Sequence, residues 1–167
     1  MERIQALEQS RDEFVAAASG LTDAQAKQRP AEDRWSVLEC AEHIAIVEGR
    51  FLGWLENAGK EGAPAADQAK ESQLSTMVSS RERKAQAPDP AKPAGRFASV
   101  ADALADFRAT RARTIEFARS QGDGLYKLAT KHPFFGALNG AELVVLIAGH
   151  TRRHCDQLRE IRNQIGA

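Results

Sequence analysis

Three of the four histidines have the spacing and setting of metal ligands. His150 and His154 lie four residues apart in a segment with helical apolar periodicity, so both imidazoles project from one side of a helix. His43 lies on the apolar stripe of another predicted helix. Neutral imidazole prefers Zn²⁺, Ni²⁺, Fe²⁺ or Cu²⁺ to Mg²⁺ or Ca²⁺. The pattern predicts that His43, His150 and His154 bind one divalent ion.

Three protein ligands leave a coordination position open, which is typical of catalytic rather than structural sites. An ion bound there lowers the pKa of a bound water toward about 7, so hydroxide or a substrate thiolate becomes available near neutral pH. Thr151 stands where a zincin-type metalloprotease has its glutamate base, which disfavours that class. From spacing alone, histidines held in the core by hydrogen bonds remain an alternative.

Three further side chains are candidates for holding a cofactor or substrate. Gln157 lies one helical turn beyond His154, where it either orients a ligand or packs between helices. Arg50 lies on the same stripe as His43, and Arg153 flanks the histidine pair. Each arginine either binds an anionic substrate at the pocket mouth or serves a structural ion pair. No general base stands out, so the catalytic residues stay unknown.

Three other residues near these positions favour simpler interpretations. Cys40 could be a soft metal ligand, but its position favours a small buried apolar residue. Glu39 is explained by a capping box that begins at Ser36. His132, the fourth histidine, lies beside Pro133 in a predicted connection, which favours an incidental role, although a loop near the end of a bundle could reach a site.

Four segments with the helical period carry these residues, and no segment of comparable quality alternates like a strand. We predict an all-α, four-helix bundle. Ser36 with Glu39, and Asn139 with Glu142, form capping boxes that begin the second and fourth helices. The predicted helices cover residues 2–19, 36–57, 99–121 and 139–165.

A long connection is predicted between the second and third helices, over residues 58–97. It holds four of the six prolines, and its polar middle allows one or two short helices. About 40 residues is too long for a hairpin between antiparallel neighbours, but long enough to cross back along a bundle. Residues 21–35 and 126–138 are predicted as ordinary connections.

Composition limits the classes of function. The 167 residues suit one domain spanning residues 1–167, and 23 basic residues balance 23 acidic ones. This balance disfavours binding to nucleic acid or to an anionic membrane surface. The longest apolar run, residues 143–148, is far shorter than the roughly 20 residues of a membrane span. Two cysteines form no disulfide framework, and no signal peptide is evident, so we expect a cytoplasmic location.

Three motifs in order resemble the DinB/YfiT-like superfamily. They are W-S-x-x-E-x-x-x-H ending at His43, F-G-x-L over residues 135–138, and H-x-x-x-H-x-x-Q-L from His150. The proline-bearing stretch 84–114 also resembles that family's connection into its third helix. The likeness covers nearly the whole chain, and its strength lies in the order and spacing of short motifs.

This resemblance implies a non-meander four-helix bundle, frequent homodimers, and a metal triad at His43, His150 and His154. It implies Ni²⁺ or Zn²⁺, and for some members a low-molecular-weight thiol such as bacillithiol, mycothiol or glutathione. We therefore expect a metal-dependent enzyme acting on a small molecule, either a thiol S-transferase or a hydrolase. The alternatives are a non-catalytic metal- or ligand-binding bundle with a stress-response role, and a metal-free scaffold.

Overall fold

The computed structural model describes residues 2–82 and 86–167. The helices are α1 (Glu2–Ala18), α2 (Asp23–Lys27), α3 (Val37–Glu56), α4 (Gln68–Ser79), α5 (Val100–Gln121) and α6 (Gly140–Ile165). The strands are β1 (Ala129–His132) and β2 (Gly136–Asn139), and short 3₁₀ turns cover Asp89–Ala91 and Gly122–Lys127. The four predicted helices correspond to α1, α3, α5 and α6.

The two histidine-bearing helices begin where their capping boxes predict. The Ser36 hydroxyl accepts a hydrogen bond from the Glu39 amide at 3.2 Å, and the Glu39 carboxylate accepts one from the Ser36 amide at 2.8 Å. Asn139 and Glu142 make the same reciprocal pair at 2.9 and 3.0 Å. These bonds satisfy amides that the first helical turn leaves without partners. The starts of α3 and α6 are thereby fixed by local sequence.

The bundle has a crossover because neighbouring helices run parallel. Helices α1 and α3 each pack against both α5 and α6, so they occupy opposite corners. Gly49 of α3 lines a groove with Thr110 of α5, and farther along both helices Glu56 pairs with Arg113. The contacts thus proceed toward the C-terminal end of both helices, so α3 and α5 are parallel. Parallel neighbours cannot be joined by a short hairpin. The predicted long connection is confirmed, and the parallel arrangement of α3 and α5 is the physical reason for it.

The crossover contributes a helix of its own. Helix α4 lies along α6, within the polar stretch for which the sequence allows a short helix. A β-carbon on Gly149 of α6 would lie 3.3 Å from the β-carbon of Val78 in α4. The glycine therefore permits the close approach of the two helices.

Residues 126–138 are not the plain connection expected from the sequence. They contain an antiparallel hairpin in which Ala129 pairs with Asn139 and His132 pairs with Gly136. Each strand has four residues, too few for a clear alternation signal. The Ala129 amide also donates to the Gly59 carbonyl at 2.7 Å, which ties the hairpin to the end of α3.

A buried arginine connects all four bundle helices. Arg111 of α5 has no exposed surface. Its guanidinium donates to both carboxylate oxygens of Glu48 in α3 at 2.7 and 2.8 Å. It also donates to the Leu7 carbonyl and the Ser10 hydroxyl in α1, and to the Thr151 hydroxyl in α6, at 2.8 to 3.0 Å. This network was not predicted from the sequence.

In the described part of the chain, no helix combines the length and apolar character that crossing a bilayer requires.

We expect Arg111→Met to lower the free energy of unfolding by about 3–5 kcal/mol, because it leaves the Glu48 carboxylate buried without its partner. Urea denaturation measures this change. The matched control is Arg113→Met, which removes the exposed pair with Glu56 and should cost about 0–1 kcal/mol. Equal losses in the two variants would show that the buried pair has no special role.

Candidate metal centre

The structure brings the three predicted histidines together. Their side-chain nitrogen atoms lie within 4.8 Å of one another, with His43 from α3 facing His150 and His154 from α6. The Nε2 atoms of His150 and His154 are 3.2 Å apart. His43 and His154 are buried, whereas His150 is partly exposed.

Two of the rings are oriented through their Nδ1 atoms. His43 Nδ1 lies 2.6 Å from the Ala91 carbonyl oxygen, which can only accept, so Nδ1 carries the hydrogen. The lone pair of His43 is thereby left on Nε2. His154 Nδ1 lies 3.6 Å from the sulfur of Cys40, and Trp35 packs against the His43 ring with centroids 4.9 Å apart. Such contacts hold metal-binding imidazoles in one orientation.

The protonation state of the cluster also suits a metal ion. Burial lowers the pKa of His43, His150 and His154, and the neighbouring imidazoles lower it further for His150 and His154. The rings are therefore neutral near pH 7, which is the form that binds metal. Among the described residues, the three-histidine cluster offers only nitrogen as ligand atoms. Such a donor set favours zinc, nickel or another transition metal over magnesium or calcium.

A buried carboxylate holds the crossover against the cluster. Glu42, next to His43 in the chain, is 2% exposed. Its oxygens accept hydrogen bonds from the backbone amides of residues 94–96 at 2.6 to 3.1 Å. Gly95 adopts a φ of +76°, which other residues rarely do, and this lets the three amides converge. The Ala91 carbonyl is thereby kept beside His43. The sequence signal for this contact was an acidic residue, Glu42, directly before a histidine of the predicted core.

Gln157 and Arg153 lie near the cluster, together with an arginine that the sequence analysis missed. Arg81, which follows α4, donates to the Gln157 side chain at 3.3 Å and binds the Glu160 carboxylate at 2.7 and 2.8 Å. Arg153 is partly buried, and burial together with Arg81 lowers its pKa. Both arginines help to lower the pKa of His154, so positive charge surrounds this end of the site.

Arg50 lies in a separate groove. Its guanidinium is 5.9 Å from the Trp54 ring. It lines a groove of about 600 Å³ between α3, α5 and the end of the crossover, together with Arg96 and Asp106. The structure thus places Arg50 beside the segment that orients His43, and it does not group Arg50 with Arg153 and Gln157.

The fourth histidine lies closer to the site than the sequence suggested. The His132 ring packs against Phe51, Trp54 and Phe135, with centroids 5.0 to 6.0 Å apart. The Phe51 ring also contacts His150, at 5.8 Å. The Phe51 ring therefore contacts both His132 of the hairpin and His150 of the cluster. The hairpin that carries His132 was not predicted, although a loop that reaches the site was considered.

A family model described as DinB superfamily matches residues 6–158. The chain belongs to the DinB superfamily. The resemblance drawn from the three motifs is thus confirmed. The chain is also similar to the uncharacterized protein YuaE of Bacillus subtilis (strain 168). The two are 25% identical over 146 residues, which cover 87% of this chain and 88% of YuaE.

Two solved structures are similar to this DinB-superfamily chain. One is YfiT from Bacillus subtilis, described as a probable metal-dependent hydrolase with an unusual four-helix bundle topology. It is 20% identical, with a TM-score of 0.64 over 99% of this chain and 86% of YfiT. The other is TT2238, described as a four-helix bundle protein. It is 23% identical, with a TM-score of 0.63 over 95% and 97% of the two chains. The predicted all-α bundle is confirmed.

The lowered pKa values give the metal-free protein a distinct pH dependence. An unfolded histidine titrates near 6.5, so below that pH the unfolded chain binds protons that the folded cluster does not. We expect the free energy of unfolding, measured with urea in the presence of a chelator, to fall between pH 7 and pH 5.5. His150→Gln/His154→Gln should show a shallower fall. An equally steep fall in the double variant would contradict the assignment.

Proposed function

We propose that this protein is a metal-dependent hydrolase whose divalent ion, zinc or nickel, is held by His43, His150 and His154. One observation carries the proposal: three neutral imidazoles from two facing helices present their nitrogen atoms within 4.8 Å of one another. Three nitrogen ligands leave room for water or substrate, as catalytic sites require. The description of YfiT as a probable metal-dependent hydrolase supports the same class of reaction.

The chain's own residues orient the ligands and limit the access of water. The Ala91 carbonyl and the Cys40 sulfur hold the rings of His43 and His154. Trp35 and Phe51 cover the cluster with aromatic surface. When bound, the ion would supply Lewis-acid activation at its open coordination position.

Positive charge beside the cluster favours an anionic substrate. Arg81 and Arg153 both lower the pKa of His154, and Arg81 binds the Glu160 carboxylate. This observation keeps thiol transfer as a second candidate, because low-molecular-weight thiols often carry carboxylates that arginine binds well. A direct role for Arg50 or Gln157 in holding such a ligand stays a prediction.

We expect tag-free protein to contain about one zinc or nickel ion per chain, and His150→Ala/His154→Ala to contain none. Elemental analysis by mass spectrometry measures this content. Adding metal should also raise the melting temperature of the wild type by mass action, and leave the double variant unchanged. The matched control is His132→Phe, which removes a histidine outside the cluster and should keep its metal.

The same proteins separate the candidate functions. A hydrolase should cleave p-nitrophenyl esters only when loaded with metal, and should lose about 100-fold or more of its turnover in His150→Ala. Turnover that also requires an added thiol and an electrophile would favour thiol transfer. A loaded protein inactive in both assays would favour a non-catalytic binding bundle. Absence of metal after reloading at neutral pH would contradict the proposal itself.

A further inference from the structure

The hydrogen bonds of His132 define which of its nitrogens carries hydrogen. His132 Nδ1 lies 3.1 Å from the backbone nitrogen of Phe134 and 3.3 Å from that of Phe135. A backbone N–H can only donate, so Nδ1 must be the acceptor and carry no hydrogen. A neutral His132 ring therefore has its hydrogen on Nε2.

The ring is also neutral near pH 7. Burial lowers the pKa of His132 to about 4. The two amide hydrogen bonds that Nδ1 accepts also lower the pKa, because both nitrogens of an imidazolium must donate. His132 is thus held as a neutral Nε2–H donor. Because its Nδ1 lone pair is already engaged and Nε2 carries hydrogen, it is unsuited to be a fourth metal ligand.

The Phe51 ring lies in contact with both this donor and the three-histidine cluster. The hairpin register pairs His132 with Gly136, and the ring reaches from β1 to Phe51 and Trp54 of α3. Nε2 is at the end of the ring, away from its own backbone. Phe51 connects the ring to His150, and a positive charge on His132 would lower the pKa of His150, so the two imidazoles lie within electrostatic reach.

We propose that His132 is a catalytic hydrogen-bond donor, whose Nε2–H binds the substrate oxygen that becomes negative during reaction at the three-histidine site. This inference rests on the proposed hydrolase function. The hydrogen stays on Nε2 throughout, so His132 stabilises charge and transfers no proton. A fixed neutral donor stabilises a developing oxyanion without reorganising when the reaction occurs.

The tautomer can be tested without any metal. We expect long-range ¹H–¹⁵N correlation spectra of ¹⁵N-histidine-labelled, chelator-treated protein at pH 7 to show one imidazole as a neutral Nε2–H form that is absent from His132→Phe. An Nδ1–H form or an imidazolium at His132 would overturn the proposal, because neither matches the required donor.

The donor role can be tested with acetohydroxamate, an oxyanion that chelates zinc, as the probe. We expect zinc-loaded His132→Phe to bind it at least about tenfold more weakly than the wild type by titration calorimetry, which is the loss expected for one buried hydrogen bond. His132→Gln, whose amide nitrogen can replace Nε2–H, should stay within about threefold of the wild type. Zinc content and circular dichroism should be unchanged in both variants.

The outcomes separate the two proposals. Equal affinity of the wild type and His132→Phe, or equal weakening in His132→Phe and His132→Gln, would overturn the role of His132 alone. Failure of the wild type to take up zinc would overturn the proposed function and, with it, this inference.

Discussion

The buried ion pair between Arg111 and Glu48 is the constraint on which the arrangement of helices depends. A guanidinium with no exposed surface is tolerated only when its donors are satisfied, and here they reach α1, α3 and α6 at once. Few rotations of the helices about their axes satisfy all these bonds. Thr151 directly follows His150, so the network that fixes the bundle also fixes the ligand-bearing face of α6.

The second constraint is the parallel arrangement of α3 and α5, which requires a crossover, and the site uses residues of that crossover. Ala91 orients His43, and Glu42 holds the backbone around residues 94–96 in place. On the opposite side, Arg81 ties the crossover to α6 through Glu160. The connection that topology demands therefore completes the surroundings of the histidine cluster.

Local sequence was sufficient to predict the helices, their caps and the grouping of the three histidines, because periodicity and capping act over a few residues. Ser36 and Asn139 mark helix starts whatever lies elsewhere in the fold. The partners of those histidines were not predictable, since Ala91 and Cys40 contact them only through tertiary packing. The position of His132 was not predictable for the same reason: its hairpin is too short to show alternation, and its ring is placed by contacts with α3.

The central claim is that His43, His150 and His154 form one metal centre with an open position. Zinc K-edge X-ray absorption of the loaded protein tests it most directly. We expect three imidazole nitrogens at about 2.0–2.1 Å from the zinc, and only oxygen from solvent besides them. A sulfur ligand at about 2.3 Å, which would make Cys40 a ligand, or fewer than three imidazoles would contradict it.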